Sequence, residues 1–459
     1  SRSHRLTIMN SQVFREYDIR GIVANDFDDD FVVDLGRGYA TLLHRAGKKT
    51  ITLGRDCRLS SDRLRDRLVE GLLSGCINVV DVGVVPTPLL YFSVLSWKMD
   101  GGAMITGSHN AAEYNGFKLG VGSTTIYGAE IQRLREVIER HDFVTTGAKG
   151  SLSERPVIPD YNDFILSQFK LTPGLKVVVD GGNGCGGVVA APLMKRLGLE
   201  TIELYTEMDG RFPNHHPDPT VEDNMRDLIA AVKKHRAAIG IAYDGDADRV
   251  GAVDENGKIV WGDELMVAFS RAVLRERPGA TIIGDVKCSK RMYDDIARHG
   301  GRPIMWKTGH SLIKSKLKEE HAALAGEMSG HMFFADRYFG FDDAIYASFR
   351  ILEILSREGR GLGAILADLP PSHFTPEIRV ECPDDRKFEV VRQAADFFRK
   401  HYEVIDIDGV RVNFADGWGL VRASNTQPAL VTRFEATSEK RLAEIRALFD
   451  GKLRELGAI

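Results

Sequence analysis

The 459-residue chain has no apolar run approaching the ~20 residues that cross a bilayer, and its start lacks the apolar stretch of a secretion signal. A membrane span and export are therefore not expected, and a cytoplasmic protein is. Its five cysteines (Cys57, Cys76, Cys185, Cys288, Cys382) form no CxxC pair. That excludes a zinc ribbon and a disulfide scaffold and fits a reducing compartment with buried thiols. Neither charge sign is in excess: 61 Lys and Arg face 65 Asp and Glu, for a net charge of -4. Such a chain is not built to coat nucleic acid or anionic lipid, although a local basic pocket is still open to it. Low-complexity tracts are absent. The opening Ser1 to Thr7 reads as an appended stretch ahead of Met9 and is set aside from the fold.

What is present is a globular composition. Hydrophobic residues make up 43% of the chain, enough for a sizeable core, and the length corresponds to about three domains at ~150 residues each. Glycine is enriched, at 46 residues, and clusters after short apolar runs where loops must bend tightly.

Those runs repeat. Thr50 to Leu53 reads as a buried strand, Leu59 to Leu73 as a helix, Asn78 to Val82 as a strand, Leu89 to Leu95 as a helix and Gly102 to Ile105 as a strand. The same order recurs from Lys176 to Val179 through helices at Val188 to Leu197 and Asp223 to His235, with a strand near Thr201 to Leu204, to a last strand at Ile239 to Ala242. A weaker third copy has strands at Thr281 to Ile283, Pro303 to Trp306 and Ala322 to Leu324, with a helix at Lys290 to Arg298. Each copy ends on a polar loop: TGSHN at Thr106 to Asn110, DGDADR at Asp244 to Arg249, GEMSGH at Gly326 to His331. Ligands of open α/β sheets bind beyond the carboxyl ends of the strands, so the three loops are expected to meet at a central cleft. The Pro-rich LPPSHFTPE at Leu369 to Glu377 reads as a linker. Beyond it lie strands near Val410 to Phe414, Gly419 to Arg422 and Leu430 to Ala436, then a helix from Glu439 towards Leu456. The expected fold is three topologically similar mixed α/β domains and a smaller, different α+β C-terminal domain.

Asp244, Asp246 and Asp248 alternate, so their carboxylates can converge and offer hard oxygen ligands to Mg²⁺ or Ca²⁺. An EF-hand loop needs Gly at its sixth position, where this chain has Arg249, and flanking helices; Val250 to Val253, Asn256-Gly257 and Lys258 to Val260 read instead as a β-hairpin. A solvated acidic turn is the plainer alternative. Arg249 beside the cluster suits a phosphate bridging guanidinium and metal. Ser108 ends a strand outside any GxSxG elbow, which leaves either a helix N-cap or a hydroxyl that carries a phosphoryl group.

TGSHN with EYNGFKL (Thr106 to Leu119), DGDADR, GEMSGH, RASNTQP (Arg422 to Pro428) and FREYDIRG (Phe14 to Gly21) together resemble the α-D-phosphohexomutase superfamily, and within it the bacterial phosphomannomutase/phosphoglucomutase group. The resemblance spans nearly the whole chain, one motif per domain and in order, with Ala111 where the serine loop usually has Pro. It implies a phosphoserine domain (9–150), a metal-binding domain (151–257), a sugar-binding domain (258–369) and a phosphate-binding domain (370–459). It also implies Mg²⁺ on Asp244, Asp246, Asp248 and phosphorylated Ser108, interconversion of hexose 1- and 6-phosphates of glucose and mannose through a 1,6-bisphosphate, and glucose 1,6-bisphosphate as activator. By the same resemblance Arg20, Lys118 and Arg249 are electrostatic groups, and Lys118, His109 and His331 are the proton-transfer candidates, Lys118 first. Glu327 and Ser329 would read the sugar, Arg422, Ser424, Asn425 and Thr426 the non-transferring phosphate, while Tyr17, Lys287 and His310 line the cleft. The product would feed nucleotide-sugar and surface-polysaccharide synthesis, with small-molecule partners only and a monomeric enzyme.

Four alternatives compete. GNGCGG (Gly182 to Gly187), followed by Glu203, satisfies the dinucleotide fingerprint of a dehydrogenase. A metal-dependent phosphatase would use the same aspartates but release free phosphate. A non-catalytic sugar-phosphate binder would not interconvert isomers. Within the superfamily, phosphoglucosamine mutase is the runner-up, because GEMSGH is close to that group's sugar loop.

Overall fold

Apolar runs that read as buried strands become the parallel cores of successive sheets. The computed structural model describes residues 9–459; the Ser1 to Thr7 stretch lies outside them. The chain divides into two compact units, one running to Phe269 and resuming over Ser329–Ile365, the other made of Ser270–Met328 and Leu366–Ile459.

In the first unit, Thr50–Arg55 pairs in parallel with Asn78–Val84 on one side and Gly102–Ile105 on the other. Tyr114–Val121 then runs antiparallel to Gly102–Ile105, and Ile19–Ile22 antiparallel to Tyr114–Val121. A second sheet repeats this plan: Lys176–Asp180 lies between Glu200–Leu204 and Ile239–Tyr243, all parallel, and Val250–Val253 follows antiparallel. In both sheets the spatial order is second, first, third, fourth. All five residues of Ile239–Tyr243 are buried, as a strand covered on both faces requires.

In the second unit, Thr281–Asp285 lies between Arg302–Trp306 and Leu324–Gly326, again parallel and in the order second, first, third. Leu324–Gly326 begins two residues later than the apolar pattern suggests, because Ile282 pairs with Leu324. The last sheet is different: Ala429–Ala436, Gly417–Ala423, Val410–Phe414 and Glu403–Ile405 are antiparallel neighbours. Helices Lys387–His401 and Glu439–Glu455 bury Phe398, Ile445, Phe449 and Leu453 in one cluster with Val410, Leu430 and Phe434. The Pro-rich Leu369 to Glu377 segment is not wholly a linker: His373–Phe374 forms a short strand on Ala429–Ala436. Two residues at a sheet edge tolerate prolines nearby, since neither ladder amide is lost.

Candidate active site

Ser108 sits at φ +53°, in the left-handed region that few non-glycine residues occupy. A buried arginine holds it there. The Arg58 guanidinium donates to the carbonyl oxygens of Ser108 (3.1 Å), Asn110 (2.7 Å), Ala111 (2.6 Å) and Tyr114 (3.1 Å). Arg58 is paired in turn with Asp56 at 3.1 Å, whose Oδ2 also accepts from the Gly107 N–H at 3.1 Å. The Ser108 N–H donates to Thr106 Oγ1 at 2.9 Å. No helix follows; the next element is the strand Tyr114–Val121, which removes the N-cap explanation of Ser108. Arg20, on Ile19–Ile22, donates to Asn110 Oδ1 at 2.7 Å and pairs with Asp18 at 2.5 Å, tying a neighbouring strand to the same turn. Tyr17 is buried just ahead of that strand.

The aspartate loop leaves the carboxyl end of Ile239–Tyr243 with all three carboxylates fully buried. Asp244 Oδ1 accepts from the backbone N–H groups of Asp248 (3.1 Å) and Arg249 (3.2 Å). Thr87 Oγ1 donates to Asp246 Oδ2 at 2.6 Å. Lys118 Nζ, from Tyr114–Val121, lies 3.3 Å from Asp246 Oδ2 and 2.8 Å from Asp248 Oδ2. Ser108 Oγ is 3.4 Å from Asp244 Oδ2 and 3.2 Å from His109 Nδ1. Serine turn, lysine and aspartate trio therefore share one buried locus.

The electrostatics follow from burial and crowding. Burial pushes Asp244 well above the usual carboxylate range, and the Asp248 and Asp246 charges add to it. Asp246 is raised by burial and by Asp248. Burial acts on Asp248 too, but Lys118 foremost, with other basic groups, holds it well below the usual range. Burial alone would discharge Lys118; the two carboxylates outweigh it and keep an ammonium.

Carboxylate oxygens of Asp244, Asp246 and Asp248 lie within 4.8 Å of one another. Oδ1 of Asp246 and Oδ1 of Asp248 are buried with no hydrogen-bond partner. Orphaned anionic oxygens at that spacing fit a hard divalent cation. The loop continues into the hairpin Val250–Val253 and Ile259–Val260, so no helix flanks it in the manner of an EF-hand. Arg249 Nε donates to His331 Nε2 at 3.0 Å, and His331 Nδ1 faces Asp342 Oδ2 at 2.9 Å, which puts the ring proton on Nδ1. Ser329, partly buried, stands two residues before His331.

The Gly182 to Gly187 turn has another purpose than dinucleotide binding. Gly184 packs on the aspartate loop so tightly that a Cβ there would stand 2.5 Å from the Gly245 carbonyl oxygen. Cys185 N–H donates to that same oxygen at 2.9 Å. Protein backbone thus fills the place a pyrophosphate would approach, and Glu203 is bound by Lys195 (2.6 Å) and Thr206 (2.9 Å). The dehydrogenase reading is overturned.

In the second unit, Glu327 Oε2 accepts from the Gly309 N–H at 2.9 Å, just ahead of His310, which opens the helix His310–Glu319. Thr308 N–H donates to Asp408 Oδ2 at 2.8 Å, and Asp408 Oδ1 accepts from Arg422 Nε at 3.1 Å. Asp408 thereby couples the Glu327 loop to the Arg422 loop. Ser424 Oγ accepts from the N–H groups of Thr426 (3.3 Å) and Gln427 (3.1 Å), shaping the turn that also carries Asn425. Lys287 Nζ is 2.5 Å from Glu377 Oε1. Burial would raise Glu377, but Lys287 pulls it down to about 2.

Sequence reasoning missed Asp56, Arg58, Thr87, Asp342 and Asp408. Asp56, Arg58, Thr87 and Asp408 act on partners 50 or more residues away and Asp342 on His331 eleven residues before it, and the local signal was the Asp-x-Arg at Asp56 to Arg58 that follows the strand Thr50–Arg55.

Family models match in order: phosphoglucomutase/phosphomannomutase alpha/beta/alpha domains I (residues 11–145), II (159–257) and III (261–373), and the C-terminal domain of the same family (377–452). The chain is 45% identical to phosphomannomutase/phosphoglucomutase of Pseudomonas aeruginosa over 97% of its own length and 96% of the relative's. It is also 45% identical to a phosphoglucomutase of Neisseria gonorrhoeae, over 95% of each chain. A solved phosphoglucomutase/phosphomannomutase family protein from Burkholderia thailandensis, 43% identical, superposes with a TM-score of 0.90 over 98% of both chains. With four domain models in register and near-half identity end to end, the chain belongs to the bacterial phosphomannomutase/phosphoglucomutase group of the α-D-phosphohexomutase superfamily.

Proposed function

We propose that this protein reversibly interconverts hexose 1-phosphates and hexose 6-phosphates of glucose and mannose, with Ser108 as the phosphoryl carrier. The observation that carries the reading is the 3.4 Å approach of Ser108 Oγ to Asp244 Oδ2 inside a buried aspartate trio with two orphaned oxygens.

Phosphorylated Ser108 gives its phosphoryl group to the free hydroxyl of a hexose monophosphate. The P–Oγ bond breaks, a P–O bond to the sugar forms, and the hydroxyl proton passes to the enzyme. The resulting 1,6-bisphosphate reverses its orientation and returns its other phosphoryl group to Ser108 Oγ, leaving the isomeric monophosphate. Glucose 1,6-bisphosphate, by the same route, restores the phosphorylated state of an enzyme that has lost it. Such transfers depend on positioning and charge neutralisation more than on covalent chemistry. Asp244, Asp246 and Asp248 would hold Mg²⁺, which supplies positive charge to the transferring phosphoryl oxygens. Lys118 and Arg20 add fixed cations beside the serine turn, and Arg249 is oriented through His331. The 3.2 Å between His109 Nδ1 and Ser108 Oγ supports His109 as a proton-exchange partner of the serine. Lys118, charged between two carboxylates, is read as an acid and electrostatic group. Glu327 and Ser329 are assigned the sugar hydroxyls, Arg422, Ser424, Asn425 and Thr426 the phosphate that is not transferred, and His310 and Lys287 a substrate-lining role. The product supplies nucleotide-sugar and surface-polysaccharide synthesis in the cytoplasm.

A coupled assay with Mg²⁺ and trace bisphosphate tests the assignment. Glucose 1-phosphate and mannose 1-phosphate are both turned over, and Ser108→Ala loses on the order of 10³-fold or more in kcat with its fold intact. Preferred turnover of glucosamine 6-phosphate would move the chain to the phosphoglucosamine mutase group.

A further inference from the structure

Two cysteines lie together just behind the serine turn. Cys57, partly exposed, stands between Asp56 and Arg58, the two residues that hold the Ser108 turn; Cys185, buried, lies within the Gly182 to Gly187 turn. The Cys57 thiol donates to the Asn183 carbonyl oxygen at 3.5 Å, two residues from Cys185. Cys57 is close enough to the Cys185 thiol to push it, foremost and together with burial, well above the usual thiol range, so Cys185 stays protonated. Cys76 Sγ, by comparison, donates to the Thr146 carbonyl at 3.5 Å and Cys288 Sγ to Asp285 Oδ1 at 3.0 Å. Neighbouring backbone confines the Cys57 segment, since a Cβ on Gly210 would stand 2.5 Å from the Cys57 carbonyl oxygen.

We propose that Cys57 and Cys185 are a redox modification site, closed to a reversible disulfide by a peroxide. Exposure makes Cys57 the first to react. Its thiol takes one peroxide oxygen to become a sulfenic acid, with release of water. The Cys185 thiol then attacks the Cys57 sulfur, the S–S bond forms and the S–O bond breaks, and the hydroxyl leaves with the thiol proton as a second water. Two thiols are oxidised and one peroxide is reduced. The new bond joins segments that act on either side of the catalytic serine. Arg58 grips the Ser108 carbonyl, while Cys185 N–H grips Gly245 of the aspartate loop. Drawing the two sulfurs together replaces the Cys57 bond to Asn183 and shifts Arg58, so oxidation slows phosphoryl transfer.

The test treats the full-length protein with hydrogen peroxide, blocks free thiols, and maps peptides without reduction alongside the mutase assay. The expected result is a linked Cys57–Cys185 peptide and a fall in kcat/KM on the order of tenfold or more, both reversed by dithiothreitol. Cys57→Ser and Cys185→Ser each keep basal turnover, form no linked peptide, and lose the dithiothreitol-reversible inhibition. Separate alkylation of Cys57 and Cys185 after peroxide, with Cys76 oxidised, would overturn the site. A linked peptide with unchanged kcat/KM would overturn its effect on turnover. Only the kinetic arm rests on the mutase reading; the peptide map stands without it.

Discussion

Gly245 meets Ser108 backbone to backbone: a Cβ on Gly245 would stand 2.4 Å from the Ser108 carbonyl oxygen. The aspartate loop and the serine turn touch at a point where only a hydrogen atom fits. Gly245→Ala must push the two loops apart, because the obstructing atom is main chain. A displacement of about 1 Å costs on the order of 10²-fold in rate, so kcat falls by about that factor while Mg²⁺ affinity changes less. Steady-state kinetics set beside Mg²⁺ titration separates the two effects.

Arg58 is the positioning residue of the site. Its guanidinium satisfies four carbonyl oxygens of the serine turn and one buried carboxylate. Arg58→Met leaves Asp56 buried without its cation, a loss of about 3–5 kcal/mol for a broken buried pair. Arg58→Lys keeps the charge but not the fork, so it recovers stability more than turnover. Comparing thermal midpoints with kcat for the two variants checks that split.

Three buried carboxylates with a single lysine between two of them leave negative charge uncompensated, visible in the upward push on Asp244 and Asp246. Mg²⁺ added to chelator-stripped protein therefore raises the thermal midpoint, by an amount equivalent to about 2.7 kcal/mol at a hundredfold excess over Kd. Asp246→Asn or Asp248→Asn shrinks that rise. A midpoint indifferent to Mg²⁺ would remove the trio from metal binding.

The Lys287–Glu377 pair makes the second unit acid-sensitive. Glu377 is drawn from the ordinary 4.5 to about 2, so its contribution is complete above pH 4.5 and disappears as pH falls towards 2. The full shift is equivalent to about 3 kcal/mol. Glu377→Gln should lower the unfolding midpoint near pH 6 and converge with the parent protein near pH 2.5.

The loops that carry chemistry were legible because each is contiguous: DGDADR brings three carboxylates within five residues, and Ser108 stands next to His109. The repeated strands were legible for a similar reason, since Ile239–Tyr243 is an apolar run closed by Asp244 and Gly102–Ile105 one closed by Thr106 and Gly107. The supports were not. Arg58 acts on carbonyls some fifty positions later, and its side chain gives no local sign of them. The helix Asp29–Arg45, which buries Leu35, Tyr39 and Leu43, passed unread among its charges. Ser108 invited an N-cap reading because its neighbours permit one; the tertiary grip of Arg58 selects the left-handed turn instead.

The central claim is that Ser108 lends its phosphoryl group to the sugar and takes one back. The most direct measurement begins with enzyme labelled by ³²P on Ser108, mixed with unlabelled glucose 1-phosphate and Mg²⁺ and quenched within a few turnovers. The account predicts label in glucose 1,6-bisphosphate and hexose monophosphate, none on a Ser108→Ala enzyme, and no matching yield of free phosphate. Label released chiefly as inorganic phosphate, or retained on the protein while sugar isomerises, would contradict it.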